Sequence, residues 1–199
     1  MEHFKSDGAI MNRHLLDTAR QWVIDVHPGQ SKHLLRSEHW LNQFAPDASL
    51  AVQMATLTHD MERAFPGDDA PSQLDMRTVM DTRYCLAHGA RSARFVSEWL
   101  SEQGADRLFV AEVSEMIVVH EYGGWPEADL VQAADSVSFL DVNAPLFIEW
   151  IPTAHNGWSY ERTLAKFEWM FERITVPSAR ALANPLYQNA VAEIKSMAP

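Results

Sequence analysis

Apolar residues recur along this chain with the period of an α-helix. In HLLDTARQW (14–22) and HLLRSEHW (33–40) they fall three and four positions apart, which gathers them on one face and leaves the charged residues on the other. No run alternates apolar and polar residues as a half-buried strand does, and no hairpin turn is set between two such runs. The pattern predicts an all-α fold, a single-domain helical bundle.

Helix starts and stops place the elements. A first helix is predicted near 9–26, ended by His27-Pro28-Gly29. A second covers about 31–44, with Ser31 as N-cap, and closes before Pro46. A third covers about 47–64, with Asp47 as cap and Pro66-Gly67 as stop. The acidic stretch GDDAPS (67–72) reads as a loop. A long helix over about 74–103 ends at Gly104, and the next, about 106–121, stops at Gly123-Gly124. Short helices near 126–140 and 143–150 precede two more over about 157–173 and 177–196, parted near Thr175-Val176-Pro177. No low-complexity linker or long-period repeat divides the chain. The echo between 14–22 and 33–40 is what two amphipathic helices with similar first residues produce.

Composition narrows the picture. With 199 residues, 47% of them apolar, and seven Trp and nine Phe, the chain has material for one well-filled core. The single cysteine, Cys85, allows no internal disulfide, which fits a cytoplasmic location. The opening MEHFKSDGAIMNRHLL carries charges early and does not read as a signal peptide. No segment approaches the roughly 18 apolar residues of a membrane span. A net charge of −11 without any basic block argues against nucleic acid polymers and anionic membranes as partners. An anionic small molecule then needs a local cationic site, either metal ions or a few placed arginines. Nine histidines bring metal into consideration, because histidine is the commonest metal ligand.

Their placement matters more than their number. His33 begins the second helix, His59 and Asp60 end the third in LTHDMERAF, His88 lies mid-helix in CLAHGARSARFV, His120 ends MIVVHEYGGWP, and Asp135 lies in VQAADSVSFLD. Nearly every one follows an apolar or small-residue stretch that should face the core. Taken singly, His88 is an ordinary core or surface histidine and Asp135 a helix cap. Taken together, the order His, His-Asp, His, His, Asp at spacings of 26, 1, 28, 32 and 15 residues delivers one group from each of five helices. Buried imidazoles and carboxylates are costly unless paired or metal-bound, and five helices pointing such groups inward is what a metal site inside a bundle requires.

These segments carry a resemblance. His33-Leu34-Leu35-Arg36, LTHDMERAF, His120-Glu121-Tyr122-Gly123-Gly124-Trp125-Pro126 and Gln132-Ala133-Ala134-Asp135 together resemble the motifs of the HD superfamily of metal-dependent phosphohydrolases. KFEWMFERITVPSARALANPLYQNAV (166–191) looks like the C-terminal helices of small bacterial members. The resemblance spans about 31–191 and implies a single HD-type domain over 1–199, with the helix near 9–26 packed on it. It implies His33, His59, Asp60 and Asp135 around one metal, and in binuclear branches Asp60 bridging to a second metal held by His88 and His120. The implied cofactor is one or two divalent ions, Mn, Fe, Ni, Co or Zn, with Mg as a further option. The implied substrate is a small phosphorylated molecule such as a nucleotide, with Asp60 among the catalytic residues. A homodimer is left open. The chain departs from the HD-GYP branch, which has two adjacent histidines where Val119-His120 stands here. It departs from many relatives after Asp135, where Ser136-Val137-Ser138 replaces Arg-Leu-Asp.

Other residues carry two readings each. His39 follows His33 by six residues, roughly 240° around the helix, so only one of them faces the site; Arg36 at the family spacing favours His33. Glu121 is a general acid or base beside His120, or a solvated residue at a helix end where it opposes the dipole. Arg36, Arg63 and Arg91 are candidates for meeting a phosphate, the alternative being ion pairs to acids such as Glu62 or Asp68. Tyr84 sits one turn before His88 and either reaches the site or packs. Trp150 and Trp158 read as core or groove wall, and His155 as a solvated loop residue or part of an entrance. Three functions follow: a phosphohydrolase first, a di-iron oxygenase cleaving a C–C or C–P bond with the same ligands second, and a non-catalytic metal or ligand sensor third.

Overall fold

The computed structural model describes residues 2–72 and 81–197, with side chains from residue 14 onward in the first helix. Among the described residues every regular element is a helix and none is a strand, and they form the all-α bundle that the periodicity predicts.

Helix α1 (Glu2–Val26) starts earlier than expected and lays Leu16, Ala19 and Val23 against the core. Helix α2 (Ser31–Phe44) buries His33, Leu34, Ser37, Glu38 and Leu41 on one face. Its N-cap position is Gln30, not Ser31, whose hydroxyl instead donates to the Pro28 carbonyl. Helix α3 (Leu50–Thr58) is buried from Ala51 onward except for Gln53, the signature of a helix at the centre of a bundle. Its cap is Ser49, whose Oγ accepts from Val52 N, and not Asp47. The third helix stops at Thr58, six residues before the predicted end, and the chain passes through His59 and Asp60 into a 3-10 turn at Met61–Ala64. That break directs both residues of the His-Asp pair toward the same interior space.

Helix α4 (Thr82–Glu102) is capped by Asp81, whose Oδ1 accepts from Arg83 N and Tyr84 N; the predicted portion over 74–80 lies outside the described residues. Helix α5 (Arg107–Val118) is capped by Asp106 and ends three residues short of the expected boundary, which puts His120 and Glu121 in the turn that follows. The α4 and α5 backbones touch at Gly89, where a Cβ would fall 2.4 Å from Val118 O. Helix α6 (Pro126–Ser138) opens with Pro at its first position, after Gly123 (φ 70°) and Gly124 (φ 129°) turn the chain. Two separate helices were expected over 126–140 and 143–150. A π turn (Phe139–Asn143) instead carries α6 directly into α7 (Ala144–Trp150). Left-handed Ala154 and Asn156 delay α8 to Tyr160–Glu172, and α9 runs Pro177–Ser196 as predicted.

The apolar side chains form two clusters. One is built by α1 to α5 and the inner face of α6; the other by the end of α6, the π turn and α7 to α9. Helix α6 contributes to both, and the polar interior lies at that junction. No helix among the described residues is long and apolar enough to cross a membrane.

Candidate metal centre

The six residues read as metal ligands converge. His33 comes from α2, His59 and Asp60 from the end of α3, His88 from α4, His120 from the turn after α5 and Asp135 from α6. None is more than 6% exposed. One donor atom each from His33, His59 and Asp135, from His59, Asp60 and His120, and from His88, His120 and Glu121 forms a group whose members lie within 4.8 Å of one another. Among the described residues, these buried groups can hold a metal ion. His39, the rival first ligand, is exposed and stacks edge-on against Trp40.

The histidines are oriented alike. His59 Nδ1 lies 2.9 Å from Thr56 O and His120 Nδ1 2.7 Å from Ile117 O. His88 Nδ1 lies 3.0 Å from Glu62 Oε1. Ser138 Oγ donates its proton to His33 O and so accepts from His33 Nδ1 at 3.0 Å. Each outer partner is an acceptor, so each Nδ1 carries a proton and each Nε2 is turned inward. There the Nε2 atoms meet carboxylates. His33 Nε2 is 3.2 Å and His59 Nε2 3.5 Å from Asp135 Oδ1. His88, His120 and His59 Nε2 lie 2.7, 3.8 and 4.0 Å from Asp60 Oδ1. His59 Nε2 is fully buried without a hydrogen bond, an orphaned donor atom between two carboxylates. That donor chemistry fits a cation.

Burial and the carboxylates move these groups in different directions. Burial opposes charge on His59, but Asp135 and Asp60 outweigh it and raise its pKa to about 9. Burial likewise opposes charge on His88, and Asp60 raises it. His120 goes the other way: burial lowers it to about 4, Glu121 opposing, with His59 and His88 adding to the effect. Burial would raise both aspartates, yet Arg63 and His88 hold Asp60 well below the usual carboxylate range, and Arg173 with His33 and His59 does the same for Asp135.

For Glu121 and two of the three arginines the structure favours one of the alternatives that the sequence leaves open. Glu121 is buried and ion-paired with Arg173, which together with Lys166 holds it down to about 2 against the effect of burial. It stays ionised and has no proton to donate as a general acid. Arg36 is ion-paired with Asp141 on the π turn and lies over Trp40, so it is tied away from the centre. Arg91 takes the ion-pair alternative: it binds Glu62 Oε2 at 3.0 Å and the Glu62 and Phe65 carbonyls, and thereby fixes the carboxylate that orients His88. Arg63 alone of the three borders the central cavity, its Nε 3.3 Å from Asp60 Oδ2.

Several participants were not singled out from sequence. Glu62 lies two residues beyond Asp60, in the same LTHDMERAF stretch. Ser136 and Ser138 stand where the departure from Arg-Leu-Asp occurs: Ser136 Oγ accepts from Arg173 Nε, and Ser138 anchors His33. Arg173 clamps Asp135, Glu121 and Ser136 together from the end of α8, with no local sign of that role. His27 is a further buried histidine whose pKa burial lowers.

The centre opens into a cavity of about 230 Å³. Tyr84, stacked on His88, Lys166, Arg63, Trp150 and Trp158 line it, while His155 is exposed against Trp150 and does not. Set against known proteins, the chain matches no family model, no curated protein and no solved structure.

Proposed function

We propose that the chain is a metal-dependent phosphohydrolase acting on a small phosphorylated molecule, with one or two divalent transition-metal ions held by His33, His59, Asp60, His88, His120 and Asp135. The observation that carries this reading is the common orientation of the four imidazoles, each Nδ1 fixed by an acceptor and each Nε2 aimed at Asp60 or Asp135. Mixed imidazole and carboxylate donors suit Mn, Fe, Ni, Co or Zn. When bound, such an ion supplies a Lewis acid for a phosphoryl oxygen and lowers the pKa of water toward neutrality.

The chain's own groups do the rest. Asp60 reaches toward three of the histidines, His59, His88 and His120, and would hold an ion together with them. Arg63 borders the cavity beside it and offers guanidinium N–H groups to an anion. Glu121, held ionised by Arg173, accepts rather than donates a proton, and its Oε1 lies 3.9 Å from His120 Nε2. Burial of the donors excludes bulk water and strengthens each of these interactions.

Metal analysis of protein purified without chelator, followed by a phosphate-release panel with Mn, Ni, Co and Mg, tests the reading. Turnover that is lost in a folded Asp60→Ala supports it. A blank panel with every metal overturns it. Two irons with a mixed-valent EPR signal and dioxygen-dependent turnover would replace it with the oxygenase, which uses the same donors; metal binding without turnover of either kind would leave a sensor.

A further inference from the structure

The cavity beside the histidines has two chemically distinct walls. One carries the inward-facing donors with three cations, Arg63, Lys166 and the exposed Lys32. The other is apolar, formed by Phe139, Leu146, Phe147, Trp150, Trp158 and Met170. Phe147 is the pivot of that wall, its ring 5.0 Å from Trp150 at 45° and 4.7 Å from Trp158 at 68°. Inclined rings make a corner that surrounds a ligand group on more than one side, with the indole N–H groups as the only donors on these three side chains. A hydroxyl buried there finds no acceptor for its proton on these side chains and has only the indole N–H groups to pair with, whereas an alkyl or aryl group gains the full burial of its surface.

Lys166, from α8, gives the cavity direction. Its Nζ lies 4.2 Å from the Trp169 ring centroid and 5.4 Å from that of Phe139. It makes no hydrogen bond or direct ion pair among the described residues. Arg36, Arg91 and Arg173 all hold acids directly. In a chain with 27 acidic and 16 basic residues, an ammonium at a cavity wall that feels Glu121 and Asp135 at longer range but rests its contacts on ring faces keeps its N–H groups for an anion that arrives from outside.

We propose that Lys166 binds the anionic end of the substrate while the corner of Phe147, Trp150 and Trp158 takes its non-reacting part. The site then selects small phosphorylated molecules with an alkyl or aryl body over sugar phosphates and nucleotides. The volume agrees: about 230 Å³ lies below the roughly 300–1,000 Å³ of pockets for drug-sized ligands. The selectivity rests on the proposal that the anionic end sits beside the histidines, and it assigns the remainder of the molecule.

Calorimetric titration of the intact chain, with and without Mn²⁺, tests this with three probes that the site cannot hydrolyse: phenylphosphonate, methylphosphonate and 2,3-dihydroxypropylphosphonate. Phenylphosphonate is expected to bind about tenfold or more tightly than the other two, from burial of the ring. Trp150→Ala should bring that ratio close to one, and Phe147→Leu should reduce it if the first variant does not fold. Lys166→Met should weaken all three probes by about tenfold and leave their ratio unchanged; Lys166→Gln is the second variant. Equal affinity for phenylphosphonate and the dihydroxy probe overturns the aromatic assignment. Unchanged affinity in a folded Lys166→Met overturns the role of the lysine. Absence of any effect of Mn²⁺ would count against the metal reading alone, because the phenyl preference is read from the same titrations without it.

Discussion

Replacing Glu62 by Gln perturbs the centre without touching a proposed ligand. Glu62 is 4% exposed and uses both oxygens: Oε1 accepts from His88 Nδ1 at 3.0 Å and Oε2 from Arg91 Nη1 at 3.0 Å. A glutamine of the same shape has one acceptor oxygen. Its amide must face either the His88 N–H or the Arg91 guanidinium, donor against donor. One charge-assisted hydrogen bond is lost, about 1.5–3 kcal/mol, and a buried donor is left facing another. Arg91 keeps the Glu62 and Phe65 carbonyls and Asp69 whichever way the amide turns, whereas His88 Nδ1 has Glu62 as its acceptor; when the amide faces His88, the ring loses its anchor. Its Nε2, 2.7 Å from Asp60 Oδ1, then loses its fixed aim. Loss of such an outer partner lowers metal affinity by about 10–100-fold, or about 1.4–2.7 kcal/mol. Competition for Co²⁺ or Zn²⁺ against a chromophoric chelator measures this directly, with far-UV circular dichroism to verify the fold. A folded Glu62→Gln that binds metal within about twofold of the parent would refute the claim that Glu62 orients a ligand.

Four further outcomes follow from the same geometry. In chelator, the His59 contribution to stability is complete below about 6.5 and is lost as pH rises through about 9, because its folded pKa is raised; melts should fall over that window, and Asp135→Asn should flatten the fall. His120, lowered to about 4, acts in the opposite sense, and its contribution is lost as pH falls from about 6.5 through about 4. Arg173→Met strands the buried Glu121 and Asp135 carboxylates and should cost about 3–5 kcal/mol in urea unfolding; a loss below about 1 kcal/mol would mean that Arg173 does not clamp them. Gly89→Ala places a methyl 2.4 Å from the Val118 carbonyl and should cost about 1–3 kcal/mol by forcing α4 and α5 apart, read as a lowered melting temperature.

Much of the fold was legible because helices are written locally. Asp106 caps α5, and Pro177 opens α9 with Gly104 beyond the end of α4, all within a turn or two of the residues they govern. The misplaced boundaries also have local causes. Ser49 outcompeted Asp47 for the α3 cap, and the turn at His59 and Asp60 broke a helix that periodicity alone would have extended to Pro66. The π turn at Phe139–Asn143 leaves no such trace: it keeps α6 and α7 continuous where the sequence reads as two helices. In the centre, helical geometry showed that His33 and His39, six residues apart, cannot share a face, while the choice of His33 came from the resemblance, through the spacing to Arg36.

The sequence by itself determined which segments are helical, which faces are apolar, and that single histidines and acids recur on inward faces from α2 to α6. These are properties of neighbours a few residues apart. The tertiary structure decided what each charged group holds. Arg36 meets Asp141 across 105 residues, Arg91 reaches Glu62 across 29, and Arg173 reaches Glu121 across 52 and Asp135 across 38. An ion pair depends on distance in space, and arginines of equal standing in the sequence were separated only when packing paired Arg36 and Arg91 with acids outside the cavity lining and left Arg63, paired with Asp60, on that lining.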